Sequence, residues 1–228
     1  MSVERTLHHF PLDPASRLVR LALGEKRLAF ESVVSRYWEQ PDEIVRLNPS
    51  GLVPVLVETL AAGKVAFCET RAIIDHLEES EPEPPLLGRD VAERAEARRL
   101  LQWFDRKFDF EVNSLLLFEK LEKRLTKSGA PDLANMREGR EALKGHLGYL
   151  ESLLGERDWL AGRRLSLADL QAAAHLSVID YFGDVPWGEF GNLRTWYMKL
   201  KSRPCFRPLL TDRWPGLAPA GHYDDLDF

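Results

Sequence analysis

The sequence contains very little cysteine. Only Cys68 and Cys205 occur among its 228 residues, so at most one disulfide could form. Small secreted domains rely on several disulfides, whereas a chain of this length buries enough apolar surface to fold without them. A disulfide-rich scaffold is therefore excluded, and we expect a cytoplasmic protein in a reducing compartment.

Long apolar segments and long basic runs are also missing. No segment approaches the roughly 18 uninterrupted apolar residues that indicate a membrane-spanning helix. The chain has 31 basic and 36 acidic residues, for a formal net charge of −5. Because nucleic acids and anionic membranes are bound mainly through basic patches, neither is expected as a partner. His8 and His9 are adjacent on a predicted strand and face opposite sides of it, so no metal site is expected.

The pattern of apolar residues divides the chain into parts. Residues 1–79 predict a strand, a helix and a strand, followed by two strands and a helix. Residues 80–89 (SEPEPPLLGR) hold three prolines, which favour a linker over a helix or a central strand. Apolar positions then recur with helical periodicity over residues 90–210, which predicts an all-helical domain. Residues 211–228 fit neither pattern and are interpreted as an extended tail.

Two helix starts have clear local signals. Asp13 and Pro14 favour a helix that begins with a side-chain cap and a proline in its first turn. Ser166 and Asp169 have the spacing of a capping box, which is worth about 1 kcal/mol. In the helical domain, the charged residues that include Glu119 and Glu122 are interpreted as a solvated helix face.

Four motifs together resemble the glutathione S-transferases. They are VRLALGEKRL in the first helix, NPSGLVPVL before the third strand, ETRAIIDHL after the hairpin, and the cap at Ser166 and Asp169. The resemblance extends to about residue 210. It implies an α+β, thioredoxin-like N-terminal domain (βαβ-ββα), then an all-α domain. It also implies a homodimer in which each N-terminal domain packs on the partner's helical domain.

The resemblance also assigns a glutathione site. It implies a cis peptide before Pro54, which turns the backbone of Val53 toward the cysteinyl part of glutathione. It further implies that Glu69 and Thr70 hold the γ-glutamyl end at a helix N-terminus, where free N–H groups favour a carboxylate.

Two departures from the family pattern weaken this site. Asp13 stands where serine-type members carry the hydroxyl that stabilises the glutathione thiolate, and a carboxylate there repels a thiolate. Leu52 stands where many members carry a lysine for the glycine carboxylate. We therefore predict a vestigial site with no catalytic residue and no cofactor. The alternative is an active glutathione S-transferase that conjugates electrophiles with Ser16 as the thiolate-stabilising residue.

Two surface segments are candidates for partner binding. Tyr37 and Trp38 are adjacent after the second strand; they form either a binding hot spot or part of the domain interface. The tail contains acidic and apolar residues together, and its candidate contacts are Asp224, Asp225, Leu226, Asp227 and Phe228. Either it is a frayed end, or it folds back with Phe228 as an anchor and its carboxylates near Arg17 or Arg36, or it binds a second protein.

The whole-chain pattern, the lost hydroxyl and the acidic, aromatic ending most resemble a branch of the family that acts in bacterial cell division. This resemblance implies a non-catalytic, dimeric regulator at the division site. Its partner would be the tubulin-like GTPase FtsZ, and it would help to couple the division ring to wall synthesis during constriction. A second division protein is the expected partner of the tail. A stress-response scaffold with another partner is a third alternative, and no sequence feature favours it over the first.

Overall fold

A computed structural model describes residues 3–228. The N-terminal part of this range contains β1 (Glu4–His9), α1 (Pro14–Glu25), β2 (Glu31–Val34), α2 (Asp42–Leu47), β3 (Val55–Leu60), β4 (Gly63–Cys68) and α3 (Thr70–Ser80). A short 3₁₀ turn, Tyr37–Glu39, precedes α2. The element order confirms the βαβ-ββα prediction.

The four strands form one mixed sheet in the order β2-β1-β3-β4. β1 runs parallel to β2 and antiparallel to β3, where Leu7 lies opposite Leu56. Both of these leucines are fully buried. Helices α1 and α3 pack against each other. The first domain therefore has the thioredoxin-like arrangement that the sequence predicts.

Helix α1 begins as its sequence indicates. The Asp13 carboxylate accepts a hydrogen bond from the backbone N–H of Ser16 at 2.7 Å, and Pro14 is the first helical residue. Because proline has no N–H, it costs nothing at a position where the helix leaves that donor unpaired. The predicted cap is confirmed, and it fixes the Asp13 carboxylate at the N-terminus of α1.

Among the described residues, the regular elements of the second domain are all helices. It contains α4 (Val91–Gln102), α5 (Ser114–Leu117), α6 (Lys123–Thr126), α7 (Leu133–Glu156), α8 (Leu167–Tyr181), α9 (Gly191–Lys201) and α10 (Arg207–Leu210). The π-helical segments Trp103–Asn113 and Phe118–Glu122 join the first three into one helical run. The capping box of Ser166 and Asp169 is present at the start of α8. No helix in residues 3–228 combines the length and hydropathy needed to cross a bilayer.

The segment between α3 and α4 is packed against the protein. Leu86 and Leu87 are buried, and their backbone N–H groups both donate to the Glu78 carboxylate, at 3.1 and 3.0 Å. The Glu83–Pro84 peptide within it is cis. The Pro-rich linker therefore follows a defined path along the junction of the two domains.

A buried arginine joins the domains. Arg17 on α1 donates to the Pro11 carbonyl at 2.7 Å and to the Ser177 hydroxyl on α8 at 2.7 Å, and it lies 3.3 Å from the Asp212 carboxylate. Arg20 forms a bidentate pair with the same carboxylate, at 2.8 and 3.0 Å. Helix α1 is thus attached to the helical domain by charge-assisted hydrogen bonds as well as by apolar packing.

The tail folds back on the helical domain. Tyr223 is fully buried, and its hydroxyl donates to the Leu209 carbonyl at 3.0 Å. The Phe228 ring packs edge-on against Trp187, with 5.2 Å between ring centroids, and the Lys201 ammonium lies 4.2 Å from its centroid. These contacts agree with Phe228 as an anchor.

The expectation about the tail carboxylates is wrong. Asp224 pairs with Arg213 at 2.9 Å, whereas Arg17 is occupied by Asp212 and Arg36 lies over the Trp214 ring. Arg213, which is only 11 residues away along the chain, therefore pairs with a tail carboxylate in place of the distant Arg17 or Arg36.

Candidate functional site

A groove of about 580 Å³ lies between the two domains. It is formed at the N-terminus of α1, the turn before β3, the N-terminus of α3 and the helical run of the second domain. Its lining residues are Asp13, Ala15, Tyr37, Asn48, Leu52, Val53, Pro54, Glu69, Thr70, Asp105, Asp109 and Glu122. All six residues of the predicted vestigial site are therefore brought together.

The backbone of this groove has the expected form. The Val53–Pro54 peptide is cis, as predicted. Thr70 is the first residue of α3, and Glu69 before it has a positive φ of 66°. Leu52 is 48% exposed, and within residues 3–228 no basic side chain lines the groove beside it.

The charges of the groove are almost entirely negative. Five carboxylates line it, and no Lys, Arg or His is among the described lining residues; the carboxylates are Asp13, Glu69, Asp105, Asp109 and Glu122. Arg71 pairs with Asp105 at 2.6 Å from outside the groove. Burial raises the pKa of Asp13 to about 6 and also raises the pKa of Glu122. At neutral pH the groove is consequently a region of concentrated negative charge.

This charge is wrong for glutathione, which carries two carboxylates and reacts as a thiolate. An anion entering the groove meets like charges, and the part of the chain that the structure describes offers it no basic lining side chain. Catalysis of thiol conjugation needs groups that favour the developing negative charge. The groove therefore combines a cis Val53–Pro54 peptide with an acidic lining that disfavours a bound anion.

The two hydroxyls nearest the α1 end of the groove are already engaged. Ser16 is fully buried, and its hydroxyl accepts a hydrogen bond from the Phe10 backbone at 3.2 Å. The Tyr37 hydroxyl donates to Glu122 at 2.5 Å. Burial, together with the carboxylates of Asp13 and Glu122, raises the pKa of Tyr37. Ser16 is buried and is not among the residues that line the groove.

Sequence reasoning missed three of the groove's carboxylates. Asp105, Asp109 and Glu122 belong to the long helical run, and the interpretation of Glu119 and Glu122 as a solvated face is wrong. Glu119 is fully buried and pairs with Lys123 at 2.6 Å, while Glu122 reaches across to Tyr37. The i,i+4 spacing of Asp105 and Asp109 was the available signal, because it places both carboxylates on one helix face.

Tyr37 and Trp38 lie at the rim in a cluster of four aromatic rings. Trp38 is half-buried and meets Phe10 and Trp214 edge-on, with centroid separations of 5.1 and 5.7 Å. Its separation from the Tyr37 ring is 5.3 Å. The cluster includes Phe10, directly after β1, and Trp214 from the tail, so Trp38 both packs internally and presents part of its ring to solvent.

The apolar side chains of the tail pack against the protein, and its acidic residues are exposed to solvent. Tyr223 is buried and Leu226 and Phe228 are half-buried, so these apolar side chains hold the tail to its own domain. The carboxylates at Asp224, Asp225 and Asp227 belong to exposed residues. Of the acidic candidate contact residues in the tail, Asp225 and Asp227 are therefore available to a partner, whereas the Asp224 carboxylate is paired with Arg213. Within residues 3–228, no group of three or more His, Cys, Asp or Glu side chains is arranged to hold a metal ion.

Comparison with known proteins agrees with this fold and groove. The family models described as "Glutathione S-transferase, N-terminal domain" and "Glutathione S-transferase, C-terminal domain" match residues 7–85 and 117–204. The chain therefore belongs to the glutathione S-transferase family, which confirms the resemblance inferred from its motifs.

Within that family, the chain is 75% identical over 228 residues to FtsZ-localized protein A of Caulobacter vibrioides (strain NA1000 / CB15N), covering 100% of both chains. It superimposes on the solved structure of FzlA from C. crescentus with a TM-score of 0.97, covering 99% of this chain and 100% of that one. A glutathione S-transferase from Rhodospirillum rubrum F11 is 49% identical, with a TM-score of 0.94 and coverage of 98% and 100%.

Proposed function

We propose that this protein is a non-catalytic, cytoplasmic regulator of bacterial cell division that binds FtsZ filaments at the division site. In this role it helps to couple the division ring to cell-wall synthesis during constriction. The observation that carries the proposal is the 75% identity to FtsZ-localized protein A along the entire chain. The tail and the aromatic rim both lie within that full-length similarity.

Co-sedimentation with polymerised FtsZ tests the binding directly. The protein should pellet with FtsZ polymers formed with GTP and remain in the supernatant with unpolymerised FtsZ. An active glutathione S-transferase serves as the matched control for the fold and should not pellet. Failure to pellet at protein concentrations in the micromolar range would contradict the proposal.

The acid-lined groove supports the absence of catalysis. Asp13 replaces the expected hydroxyl, and Ser16 is buried in a hydrogen bond with the backbone. The protein should therefore neither bind immobilised glutathione nor conjugate a general electrophile such as chlorodinitrobenzene. Turnover well above background that is abolished by Ser16→Ala would instead establish the transferase alternative.

A homodimer is also part of the proposal. Phe110 is 76% exposed on the π-helical segment of the helical domain, and such large exposed aromatics are enriched in subunit interfaces. Light scattering at micromolar concentration should give the mass of a dimer, and Phe110→Glu should shift it toward a monomer with an unchanged circular dichroism spectrum. A monomer mass for the wild-type protein would contradict this part.

The exposed acidic face of the tail supports a second division protein as its partner. Asp225 and Asp227 are exposed, while the neighbouring Leu226 and Phe228 pack inward. The surface that binds FtsZ and the surface of the tail that binds the second protein would then be separate parts of the molecule. Affinity capture from dividing cells, compared between the wild type and Asp227→Lys, should show loss of one partner and retention of FtsZ.

A further inference from the structure

A smaller pocket of about 330 Å³ adjoins the acidic groove and is called the inner pocket here. The groove and the inner pocket share six lining residues: Asp13, Ala15, Thr70, Asp105, Asp109 and Glu122. The other lining residues of the inner pocket come mainly from the helical domain. The inner pocket therefore continues the groove toward that domain, and four of the shared residues are acidic.

Most of the carboxylates in this space have no cation beside them. Arg71 pairs with Asp105 at 2.6 Å. Within residues 3–228, the other four groove carboxylates accept hydrogen bonds only from uncharged donors: a backbone N–H for Asp13, a serine hydroxyl for Glu69, an amide for Asp109 and a tyrosine hydroxyl for Glu122. Carboxylates gathered in this way repel one another, and an added cation would relieve the repulsion.

The helix N-termini at the groove do not offset this charge. The partial positive charge of a helix N-terminus favours an anion, but each of these two helices has a carboxylate of its own there. Asp13 accepts from the first turn of α1 at 2.7 Å, and Glu69 directly precedes Thr70, the first residue of α3. The helix ends are thus already supplied with negative charge.

Two buried amides in the inner pocket lack a hydrogen-bond donor. Asn113 and Gln171 are 7% and 3% exposed, and their NH₂ groups donate to Asp109 and Asp105 at 2.9 and 2.8 Å. Because an ionised carboxylate only accepts, each amide turns its carbonyl oxygen away from its aspartate. Among the described residues neither carbonyl oxygen has a partner. A buried acceptor without a donor is unfavourable, so this lining favours a ligand that brings N–H groups.

The rest of the inner pocket is uncharged. His175 lies between the two amides, with its ring nitrogens 2.7 Å from the Asn113 amide nitrogen and 3.1 Å from that of Gln171. Burial lowers the pKa of His175 to about 3, so its ring is neutral and does not repel a cation. Four apolar side chains complete the wall: Leu12, Leu117, Phe118 and Leu121. They offer a surface on which an apolar stem can lie.

We infer that the groove and its inner pocket bind an alkyl cation, a guanidinium or ammonium group carried on a short apolar stem. The charged group would lie among the shared carboxylates, and the stem against the leucines and Phe118. A guanidinium group suits this lining because it has five N–H donors and no acceptor. Such a group is supplied either by an arginine side chain of a partner protein or by a free alkylguanidine. The groove, at about 580 Å³, lies within the usual range of about 300–1,000 Å³ for ligand sites.

Calorimetric titration of the full-length protein tests the inference with two cations. n-Butylguanidinium represents the free cation, and an acetylated, amidated Gly-Arg-Gly tripeptide represents the side chain of a protein. At least one should bind saturably, with an affinity that falls as salt is added. The neutral matches are n-butylurea and the same tripeptide with citrulline in place of arginine. Each should bind at least about tenfold more weakly than its charged counterpart, because charge-assisted hydrogen bonds are lost.

Neutralising two carboxylates locates the site. The double substitution Asp109→Asn and Glu122→Gln should weaken binding of the cation at least about tenfold. Both new side chains keep an acceptor oxygen for Asn113 and Tyr37, and circular dichroism should confirm an unchanged fold. Asp109→Asn alone should give part of the loss.

The matched control is the double substitution Glu138→Gln and Glu141→Gln, which also removes two negative charges. Both glutamates are exposed on α7 and line neither the groove nor the inner pocket. This variant should bind the cation as the wild type does.

Saturable binding that is weakened in the groove variants and kept in the α7 control supports the site. Binding of the tripeptide identifies an arginine side chain as the source, whereas binding of n-butylguanidinium alone identifies a free cation. Failure of both cations to bind would overturn the inference, and so would equal affinity for the neutral matches or equal affinity in the double groove variant. None of these titrations contains FtsZ, so this inference and the proposed function are tested separately.

Discussion

Substitution of Trp38 by alanine is the sharpest test of the aromatic rim. The Trp38 ring meets Phe10 and Trp214 edge-on at 5.1 and 5.7 Å. Such pairs contribute about 0.5–1.5 kcal/mol each, so their loss should lower the free energy of unfolding by about 1–3 kcal/mol. If the solvent-facing part of Trp38 is also a hot spot for FtsZ, binding should weaken by more than about 1 kcal/mol, or at least fivefold.

Two variants separate the binding effect from the packing effect. Trp214→Ala removes a ring from the same cluster, since Trp214 lies 4.8 Å from Phe10. Tyr37→Phe removes only the hydrogen bond to Glu122. Each protein should be titrated against a fixed amount of FtsZ polymer in co-sedimentation, with urea unfolding measured in parallel.

The expected order of affinity places Trp38→Ala well below Trp214→Ala, with Tyr37→Phe near the wild type. If Trp214→Ala weakens FtsZ binding as much as Trp38→Ala does, then the cluster acts through stability and Trp38 makes no direct contact. Full binding by Trp38→Ala would refute the reasoning outright.

Three further predictions concern other parts of the chain. Asp227→Lys should leave co-sedimentation with FtsZ nearly intact while impairing constriction in cells, because its exposed carboxylate lies outside the aromatic rim; equal loss of FtsZ binding in this variant and in Trp38→Ala would contradict the separation of roles. The pKa of Asp13 is raised to about 6 in the fold, so its contribution to stability is present below about pH 4 and lost as the pH rises through about 6. Asp13→Asn keeps a capping side chain without the charge, so between about pH 4 and pH 7 its free energy of unfolding should rise by about 3 kcal/mol relative to that of the wild type, measured by urea unfolding; an unchanged difference across that range would contradict the assignment. Asp169→Ala should lower the free energy of unfolding by about 3 kcal/mol, because the Leu160 backbone N–H and the Trp196 indole N–H lose a buried acceptor at 2.8 and 2.9 Å. Urea unfolding should show a smaller decrease for Asp169→Asn.

The fold was predictable from local signals. The cap at Asp13, the capping box at Ser166 and Asp169, and the periodicity of the helical domain are each encoded within a few residues. The cis peptide before Pro54 followed from the family resemblance. The caps and the helical periodicity depend on residues that are neighbours in the chain, and the cis peptide belongs to a short motif whose geometry is the same throughout the family. A single sequence was therefore enough to predict them.

The acidity of the groove was only partly predictable. Asp13 was identified from its position before Pro14. Asp105, Asp109 and Glu122 come from a helix about a hundred residues away, and helical spacing alone does not show which face of that helix covers the first domain. Helical spacing predicts a polar face, but the packing angle between domains decides whether that face meets water or a groove.

The same limit applies to the tail. The apolar residues of the tail indicate that it is not simply a solvated end, and Phe228 does act as an anchor. Its ring partners, Trp187 and Tyr197, lie thirty or more residues earlier in the helical domain. No local pattern indicates that a segment without helix or strand returns to that exact surface, because the contacts depend on how α8 and α9 are placed.

The position of Arg17 has a consequence for how this protein can be divided. Its guanidinium group belongs to α1, yet Ser177 and Asp212, two of its partners, lie beyond the linker. A fragment ending near residue 79 would leave this buried cation without those partners and would expose the surface of α1 that α8 covers. The thioredoxin-like half is thus not a transplantable module. Deletion mapping would confuse loss of a binding surface with loss of the fold, so partner surfaces are better located by point substitutions in the intact chain.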